Sequence, residues 1–415
     1  MEPKLASSAG ACALPRLLRP LLLISDLDDT LVGGEGEGDD ASQCDAHSRE
    51  LAAALARWRN SAAASRAEGA SSGAPDCRLA INTGRTLPLF LRAVAERGAE
   101  VIPEADVLVA GVGTRIYVRR QEAGPMGSAS GWEEHLEWSA AMSRDWDIEA
   151  VRSAVEDAMQ HLGPDSMAWR NQEENDGLKL TVVAAVQALP DLVGFLDARL
   201  RAAEVRYRIV VGPTLGWAYL DFLPGCAGKN AAAHYVRRLL GSDAAAVVVS
   251  GDAPNDLDML AGASQAIVVA NCHESVRHFA VMAVQWQDEQ QPRTPPAGAP
   301  LSCEGAACCG AAVAVELGPA AEQVVAVLTA AAIEACDGDS CGAGASVFRG
   351  VYRWGVGVDI GGLAGTTGVP SGEGRVDSGG GAEPPTPLRR VHLASRPSAA
   401  GVLEGLSAFG FVQRH

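Results

Sequence analysis

The chain has 415 residues, a hydrophobic content of 47% and a formal net charge of -17 at pH 7. This length and hydrophobic content are enough to bury one large core and a second, smaller one. The acidic charge argues against nucleic acids and anionic membranes as partners, because both attract basic surfaces. No apolar run reaches the length of a membrane span, since Arg16 and Arg19 interrupt the first one.

The composition also bears on the cellular compartment. Ten cysteines are scattered without a regular framework, which is typical of a reducing compartment. Residues 1–19 hold serines and alanines with a single acid, Glu2. We interpret residues 1–19 as a disordered leader, with a weak organellar transit peptide as the alternative, and we expect a cytoplasmic protein.

Short apolar runs alternate with helix-like stretches over residues 20–290. Runs of Val, Leu, Ile and Ala are typical of parallel strands that are buried on both faces. Strands are predicted at 21–24, 78–81, 106–111, 244–250 and 266–270. Helices are predicted at 46–59, 86–98, 229–240 and 273–281. This alternation predicts a doubly wound α/β core.

Two segments interrupt the alternation. Residues 60–76 are small and polar, and we interpret them as a surface insertion. The stretch that follows "GVGTRIY" is too long for one crossover and has its own predicted helices and strands. We therefore expect a core of residues 20–116 and 212–290, with a second α/β unit, residues 117–211, inserted into it.

The sequence changes character after residue 290. Residues 291–415 begin with the linker "QQPRTPPAGAP" and contain a predicted helix near 319–335 and a glycine-rich tract at 361–382. We expect a largely low-complexity, poorly ordered tail. The closing stretch "VHLASRPSAAGVLEGLSAFGFV" is more regular, but its pattern assigns it to no element.

Polar residues follow three of the predicted core strands. In an open parallel sheet, functional groups collect outside the carboxyl ends of the strands. The first strand ends in Asp26, Asp28, Asp29 and Thr30, the second in "NTGR" (82–85), and the fourth in "GDAPND" (251–256). Lys229 stands at the beginning of a predicted helix.

Carboxylates from separate segments would repel one another in one crevice unless a cation joined them. Mg²⁺ suits an all-oxygen set of ligands without His or Cys. A threonine hydroxyl, exposed backbone N–H groups and a lysine beside that metal are what a phosphate dianion requires. The residues therefore predict a site for Mg²⁺ and a phosphate group.

Four motifs, "DLDDT", "TGR", "GKN" and "GDAPND", resemble in order and strand context those of the haloacid-dehalogenase (HAD) phosphatases. The insertion between the second and third motifs is similar to the HAD class with an α/β (C2-type) cap. Within that class, "INTGRT", "YLDFLPGCAGKNAAAHYV" and "GDAPNDLDML" resemble the sucrose-phosphate phosphatases over residues 20–290. The resemblance implies a Rossmann-like HAD core, a cap that selects the substrate, and hydrolysis of sucrose 6-phosphate.

The resemblance also implies roles for the motif residues. Asp26 would be the nucleophile that forms an aspartyl-phosphate, and Asp28 the general acid and base. Asp26, the backbone carbonyl of Asp28, and Asp252 would hold Mg²⁺. Asp256 would hold Lys229 or a metal-bound water. The residues implied to bind phosphate are Thr83, Gly84, Lys229 and Asn255.

Substrate recognition would come from the inserted unit, because the core binds only the phosphate. Five of its residues lie where the resembled family contacts sugar hydroxyls: Trp146, Glu174, Asn175, Asp176 and Lys179. The alternative interpretation is a core tryptophan and a solvated polar loop.

Three alternatives to a sucrose 6-phosphate phosphatase stay open. The same chemistry could act on another sugar phosphate or a glycosyl-glycerate phosphate, or transfer the phosphoryl group to an acceptor other than water. A catalytically silent binding module is the third, because sucrose-phosphate synthases carry a similar domain. The full set of motif carboxylates favours an enzyme, and a sucrose-phosphate synthase is a candidate partner.

Overall fold

The computed structural model describes residues 15–33, 41–67, 74–120, 125–163, 165–214, 216–290 and 390–413. The strands in these ranges are β1 (Arg16–Leu17), β2 (Leu21–Ser25), β3 (Cys77–Asn82), β4 (Val107–Ala110), β5 (Arg115–Arg119), β6 (Trp132–Glu134), β7 (Met167–Trp169), β8 (Leu180–Ala185), β9 (Tyr207–Thr214), β10 (Trp217–Pro224), β11 (Val247–Gly251), β12 (Gln265–Val268), β13 (Arg390–Leu393) and β14 (Val412–Gln413). The α-helices are α1 (Ala41–Ala67), α2 (Leu87–Arg97), α3 (Leu136–Ser143), α4 (Ile148–Leu162), α5 (Leu189–Ala202), α6 (Lys229–Leu239), α7 (Leu257–Gly262), α8 (Glu274–Gln290) and α9 (Ser398–Ala408).

The larger sheet has eight strands in the order β13-β12-β11-β2-β3-β4-β5-β6. Neighbouring strands from β13 to β4 are parallel, whereas β5 and β6 are antiparallel additions at one edge. The strands predicted from apolar runs are present as β2, β3, β4, β11 and β12, and the doubly wound α/β core is confirmed. The run predicted at 244–250 becomes a strand only at Val247, because Ala244–Ala246 form a 3-10 turn.

Helices cover both faces of this sheet, which explains why every residue of β2 is buried. Alternate side chains of a strand point to opposite faces. Leu21 and Leu23 therefore join one apolar cluster, while Leu22 and Ile24 join another. Residues of α1, α2 and α9 complete the first cluster, and residues of α6, α7 and α8 complete the second.

A second sheet, with strand order β7-β8-β10-β9, is antiparallel throughout. Together with α4 and α5, which pack on one of its faces, it forms the inserted unit. The opposite face exposes Trp217 and Tyr219. The predicted limits of this unit, 117 and 211, are wrong, because β5 and β6 join the larger sheet and β10 keeps the chain in the smaller sheet as far as Pro224. The sequence pattern of a strand does not reveal which sheet it joins.

The surface insertion predicted at 60–76 also differs from the structure. Helix α1 continues to Ala67, so the first half of that segment is helical. Alanines are frequent in it, and alanine has the highest helix propensity of all residues.

The closing residues 390–413 are not part of a poorly ordered tail, and this prediction is wrong for them. Strand β13 pairs in parallel with β12, with Leu393 opposite Val268, and extends the larger sheet. Helix α9 is almost entirely buried beside α1 and β12. Strand β14 pairs with β1, with Val412 opposite Leu17, so the end of the expected leader is a strand as well.

The remaining predictions for 1–14 and 291–389, including the helix near 319–335, fall outside the described residues. Among the helices that are described, none has the length and apolar character needed to cross a lipid bilayer.

Candidate active site

The carboxyl ends of β2, β3 and β11 meet at one edge of the larger sheet, and α6 begins beside them. Parallel pairing places Ser25 at the end of β2 opposite Ser250 of β11. The backbone N–H of Asp26 then donates to the Ser250 carbonyl at 3.0 Å. Asp26 and Asp252, which follow these strands, are consequently neighbours although they are far apart in sequence.

Lys229, the first residue of α6, is fully buried between two carboxylates. Its Nζ donates to Asp26 Oδ1 at 2.7 Å and to Asp256 Oδ1 at 2.7 Å. Burial alone would lower the pKa of Lys229, but the carboxylates of Asp256 and Asp26 raise it above its ordinary value. The lysine is therefore a fixed positive charge beside the expected nucleophile.

The carboxylate of Asp256, in the loop after β11, accepts hydrogen bonds from the backbone of the same loop. Asp256 Oδ2 accepts hydrogen bonds from the backbone N–H groups of Asp252 at 3.1 Å and Ala253 at 3.0 Å. The Thr30 hydroxyl donates to Asp252 Oδ1 at 2.5 Å and so connects the β2 and β11 loops. Asp256 thus orients both Lys229 and the backbone at Asp252, in agreement with a supporting role.

The negative charges in this site exceed the positive charge of Lys229. Ligand atoms of Asp26, Asp252 and Asp256 lie within 4.8 Å of one another, and all three residues are buried. Burial raises the pKa of Asp26 to about 7 against the lowering effect of Lys229. Burial, with the charges of Asp26 and Asp256, also raises the pKa of Asp252 well above its ordinary value. A cation at this point would relieve the repulsion.

The donor set fits Mg²⁺, which prefers carboxylate and other oxygen ligands. Asp26 and Asp252 are the carboxylates with oxygen atoms to offer, because both oxygens of Asp256 already accept hydrogen bonds from Lys229 and the backbone. The side-chain oxygen of Asn255 is also buried and has no hydrogen-bond partner in the part of the chain that is described.

Asp28 lies at the mouth of the site and its side chain is about half exposed, at 44%. Arg85 donates a hydrogen bond to each carboxylate oxygen of Asp28, from Nη2 to Oδ1 at 2.7 Å and from Nε to Oδ2 at 2.8 Å. The hydrogen bond to Asp28 raises the pKa of Arg85 above its ordinary value. A two-pronged guanidinium–carboxylate pair fixes orientation as well as charge.

The residues expected to bind phosphate line the same opening. Thr83 is buried, and its Oγ1 accepts from the Arg85 backbone N–H at 3.1 Å. Gly84 faces Asn255, whose Nδ2 lies 3.7 Å from the point where a Cβ of residue 84 would stand. The second and fourth motifs therefore approach each other at Gly84 and Asn255.

The five residues predicted in the inserted unit have different surroundings. Trp146 Nε1 donates to the Gly177 carbonyl at 3.0 Å, and Asn175 Oδ1 accepts from the Thr181 backbone N–H at 2.7 Å. Glu174 pairs with Arg170 at 2.7 Å, and Asp176 pairs with Arg115 at 2.8 Å. These four side chains take part in hydrogen bonds that shape the loop between β7 and β8.

Lys179 contacts the loop after β3, whereas Asp176 contacts Arg115 of β5 in the same sheet. The Lys179 side chain is buried, and its Nζ lies 3.2 Å from the Gly84 carbonyl and 3.1 Å from Asp221 Oδ1. The Thr86 hydroxyl also donates to the Glu173 carbonyl at 2.5 Å. The loop between β7 and β8 is thereby tied to the loop that carries Thr83 and Gly84.

Sequence reasoning assigned no role to Arg85 or Asp221. Arg85 is the residue after "NTG", and its position beside Asp28 depends on the pairing of β2 with β3. Asp221 is the one charged residue in the otherwise apolar run "WAYLDFLP". This single charge in a strand could have identified Asp221 as a candidate functional residue.

The sequence of this chain matches one protein family and one curated relative. The family model for sucrose-6F-phosphate phosphohydrolases matches residues 19–297. A HAD-like hydrolase of Nitrosococcus oceani is 29% identical over 222 residues, which are 52% of this chain and 56% of that protein. The chain thus spans a little over half the length of this curated relative.

Two solved structures are also among the matches. The sucrose-phosphatase of Synechocystis sp., in complex with sucrose and phosphate, is 21% identical, with a TM-score of 0.44, and the match covers 66% of this chain and 90% of that one. A haloacid dehalogenase-like hydrolase of Bacteroides thetaiotaomicron is 16% identical, with a TM-score of 0.40, and the match covers 63% of this chain and 92% of that one.

The doubly wound α/β core and the matched family model together define the class of this protein. The matched residues 19–297 are most of the chain. The chain belongs to the sucrose-6F-phosphate phosphohydrolase family. The resemblance to this family that the sequence motifs predict is confirmed.

Proposed function

We propose that this chain is a Mg²⁺-dependent phosphatase that hydrolyses sucrose 6-phosphate to sucrose and phosphate. The observation that carries the proposal is the buried cluster of Asp26, Asp252 and Asp256 with Lys229 at its centre. A structural core would not need three carboxylates in one place, because burying charge is costly unless it serves binding or chemistry.

Asp26 is the proposed nucleophile. One carboxylate oxygen attacks phosphorus, the bond from phosphorus to the sugar oxygen breaks, and an aspartyl-phosphate forms. Lys229, 2.7 Å from Asp26 Oδ1, keeps that carboxylate in place and favours its charged form. Water then attacks the aspartyl-phosphate and restores the free carboxylate.

Asp28 is the proposed general acid and base. It gives a proton to the departing sugar oxygen and later takes one from the attacking water. Its carboxylate is held by Arg85 and is accessible at the mouth of the site, which suits a group that exchanges protons with a ligand. Arg85 must yield at least one of its hydrogen bonds when Asp28 carries the proton.

Mg²⁺ would be held by Asp26, Asp252 and the backbone carbonyl of Asp28, and when bound it neutralises charge on the phosphate. Gly84 and Asn255, which approach each other, would bind the phosphate oxygens together with Lys229, and Thr83 would contribute its hydroxyl. Donors that are fixed before the substrate arrives need no reorganisation during the reaction.

The sugar part of the substrate is proposed to lie between the core and the inserted unit. Lys179 and Asp221 stand next to the Gly84 carbonyl and can exchange their present hydrogen bonds for sugar hydroxyls. Tyr219 is on the same exposed face of β10 and offers an aromatic surface to a sugar ring. The family match supports sucrose 6-phosphate over other sugar phosphates.

The compartment and the partner are proposals as well. In the part of the chain that the structure describes, Cys77, Cys226 and Cys272 are free thiols, which supports the cytoplasm. A sucrose-phosphate synthase is the proposed partner, because it would supply the substrate. Co-sedimentation of the two purified proteins tests this association, and separate sedimentation contradicts it.

The test of the function is phosphate release, with Mg²⁺, from sucrose 6-phosphate, trehalose 6-phosphate, glucose 6-phosphate and fructose 6-phosphate. The wild-type protein is expected to prefer sucrose 6-phosphate in kcat/KM, and the Asp26→Asn variant is expected to be inactive on all four. Equal activity on all sugars would move the proposal to a general sugar phosphatase. A folded protein without activity on any phosphate ester would contradict the proposal.

A further inference from the structure

The closing segment of the chain contacts the loop that carries the expected catalytic aspartates. The Ser398 hydroxyl, at the beginning of α9, donates to the backbone carbonyl of Asp29 at 3.1 Å. Asn271, which follows β12, donates from Nδ2 to the same carbonyl at 2.8 Å. The Ser398 backbone N–H donates in turn to Asn271 Oδ1 at 2.8 Å. Three parts of the chain thus form one closed set of hydrogen bonds.

The backbone at both ends of this set is strained. Asp29 has φ of 56° and Ser398 has φ of 45°, the left-handed region that residues other than glycine adopt at a cost. Such conformations persist only where the surroundings enforce them, and they concentrate at functional sites. Two strained residues are here joined by a hydrogen bond, although the positions are far apart in sequence.

Asp29 stands between two residues of the site. Asp28, on one side, is the proposed general acid and base, and its carbonyl is a proposed ligand of Mg²⁺. Thr30, on the other side, donates to Asp252 Oδ1. A shift of the Asp29 peptide therefore moves both neighbours, so the hydrogen bonds to its carbonyl help to fix the positions of Asp28 and Thr30.

Ser398 can hold this loop because its own segment is rigid. The Ala270 backbone N–H donates to the Arg396 carbonyl at 3.0 Å. Helix α9 approaches β12 so closely that a Cβ at Gly405 would lie 2.5 Å from Ile267 Cγ1. Ser398 is 1% exposed. The segment is thus packed against the sheet and can transmit a fixed position to Asp29.

We propose that Ser398 and Asn271 are positioning residues for catalysis, and that the closing segment 390–413 completes the active site across the intervening 291–389. Neither residue is proposed to touch the substrate. Both act through the Asp29 carbonyl, which sets the position of Asp28 and Thr30. This inference rests on the proposed function, in which those residues serve phosphate chemistry and Mg²⁺ binding.

The Ser398→Gly variant of the full chain separates positioning from stability. Glycine adopts a positive φ without penalty, so the variant loses the hydroxyl but also loses the backbone strain. We expect its melting temperature to stay near that of the wild type. We expect kcat on sucrose 6-phosphate and on p-nitrophenyl phosphate to fall about tenfold or more, with KM little changed, because small displacements of catalytic groups are costly.

Three further variants sharpen the result. Ser398→Ala retains the strain and lacks the hydroxyl, so it should lose stability and lose kcat to the same extent as Ser398→Gly. Asn271→Ala combined with Ser398→Gly should lose less kcat than the product of the two single losses, because both side chains hold one carbonyl. Ser395→Ala is the matched control: its hydroxyl bonds Glu404 in the same segment, away from Asp29, and kcat should be unchanged.

Mg²⁺ binding gives a readout that does not depend on turnover. Mg²⁺ should raise the melting temperature of the wild type, and a higher Mg²⁺ concentration should be needed for the same shift in Ser398→Gly. A Ser398→Gly variant with wild-type kcat and wild-type Mg²⁺ dependence would overturn the inference while leaving the proposed function intact. A wild-type protein that neither hydrolyses phosphate esters nor responds to Mg²⁺ would contradict the proposed function, and the inference with it.

Discussion

The two sides of the active site are built differently. On the core side Asp26, Lys229 and Asp256 are buried, and strand pairing or a second carboxylate fixes each of them. On the side of the inserted unit, pairs such as Glu173 with Arg92 are about half exposed. In the proposed function, the core side carries the phosphate chemistry and the inserted unit contacts the sugar.

Replacing the buried lysine of the core tests the first half of this comparison. Lys229→Met leaves Asp26 and Asp256 buried without their shared cation. We expect a loss of about 3–5 kcal/mol in the free energy of unfolding, as for other broken buried pairs, together with loss of activity. Urea unfolding in the absence of Mg²⁺ measures the first effect. A Lys229→Met protein of wild-type stability would contradict the fixed-charge role.

The pH dependence of stability tests the same cluster without Mg²⁺. The pKa of Asp26 is about 7 in the folded protein, above its ordinary value of 3.8. Between these values the folded state keeps a proton that the unfolded state has lost, so stability falls as pH rises from about 4 to about 7. Asp26→Asn should show a smaller fall, and a slope equal to that of the wild type would contradict the assignment.

Replacing the lysine of the inserted unit is the matched experiment. Lys179→Met breaks the contacts to Gly84 and Asp221 but leaves Asp26 and Lys229 intact. We expect KM for sucrose 6-phosphate to rise about tenfold, which corresponds to about 1.4 kcal/mol of lost binding. Turnover of p-nitrophenyl phosphate, which has no sugar, should change little. An equal loss of activity on both substrates would contradict a role of Lys179 in binding the sugar.

The smallest effect is expected at the surface. Arg120 and Glu133 form an exposed pair between β5 and β6, with side chains 51% and 64% exposed. Arg120→Ala should change the free energy of unfolding by less than about 1 kcal/mol, because solvent screens such pairs. Activity should be that of the wild type. A larger change would show that this edge of the sheet supports the site.

The core could be predicted because its signals are local. Continuous apolar runs identify β2, β3 and β11, and the residues directly after them are the site residues. The rule that the carboxyl ends of parallel strands share one edge places three of the motifs together, whereas the motif with Lys229 was recognised by its resemblance to the family. Asp26, Asp252 and Asp256 lie together there, and Lys229 donates to Asp26 and Asp256.

The closing segment could not be predicted because its partners are distant in sequence. Strand β13 is only Arg390–Leu393, with charged and apolar residues mixed, and shows no continuous apolar run. Its pairing with β12 and the contact of Ser398 with Asp29 join residues that are far apart in sequence. The prediction of the limits of the inserted unit was wrong for a similar reason, because the sequences of β9 and β10 are typical of strands and do not reveal which sheet they join.

The most direct test of the account is to follow the phosphoryl group itself. The protein would be mixed with radiolabelled p-nitrophenyl phosphate and Mg²⁺, quenched in acid during turnover, and digested to locate the label. The account predicts a covalent label on the peptide that contains Asp26, released by hydroxylamine and absent from Asp26→Asn. Label on another residue, or phosphate release by Asp26→Asn at the rate of the wild type, would contradict the claim that Asp26 is the nucleophile.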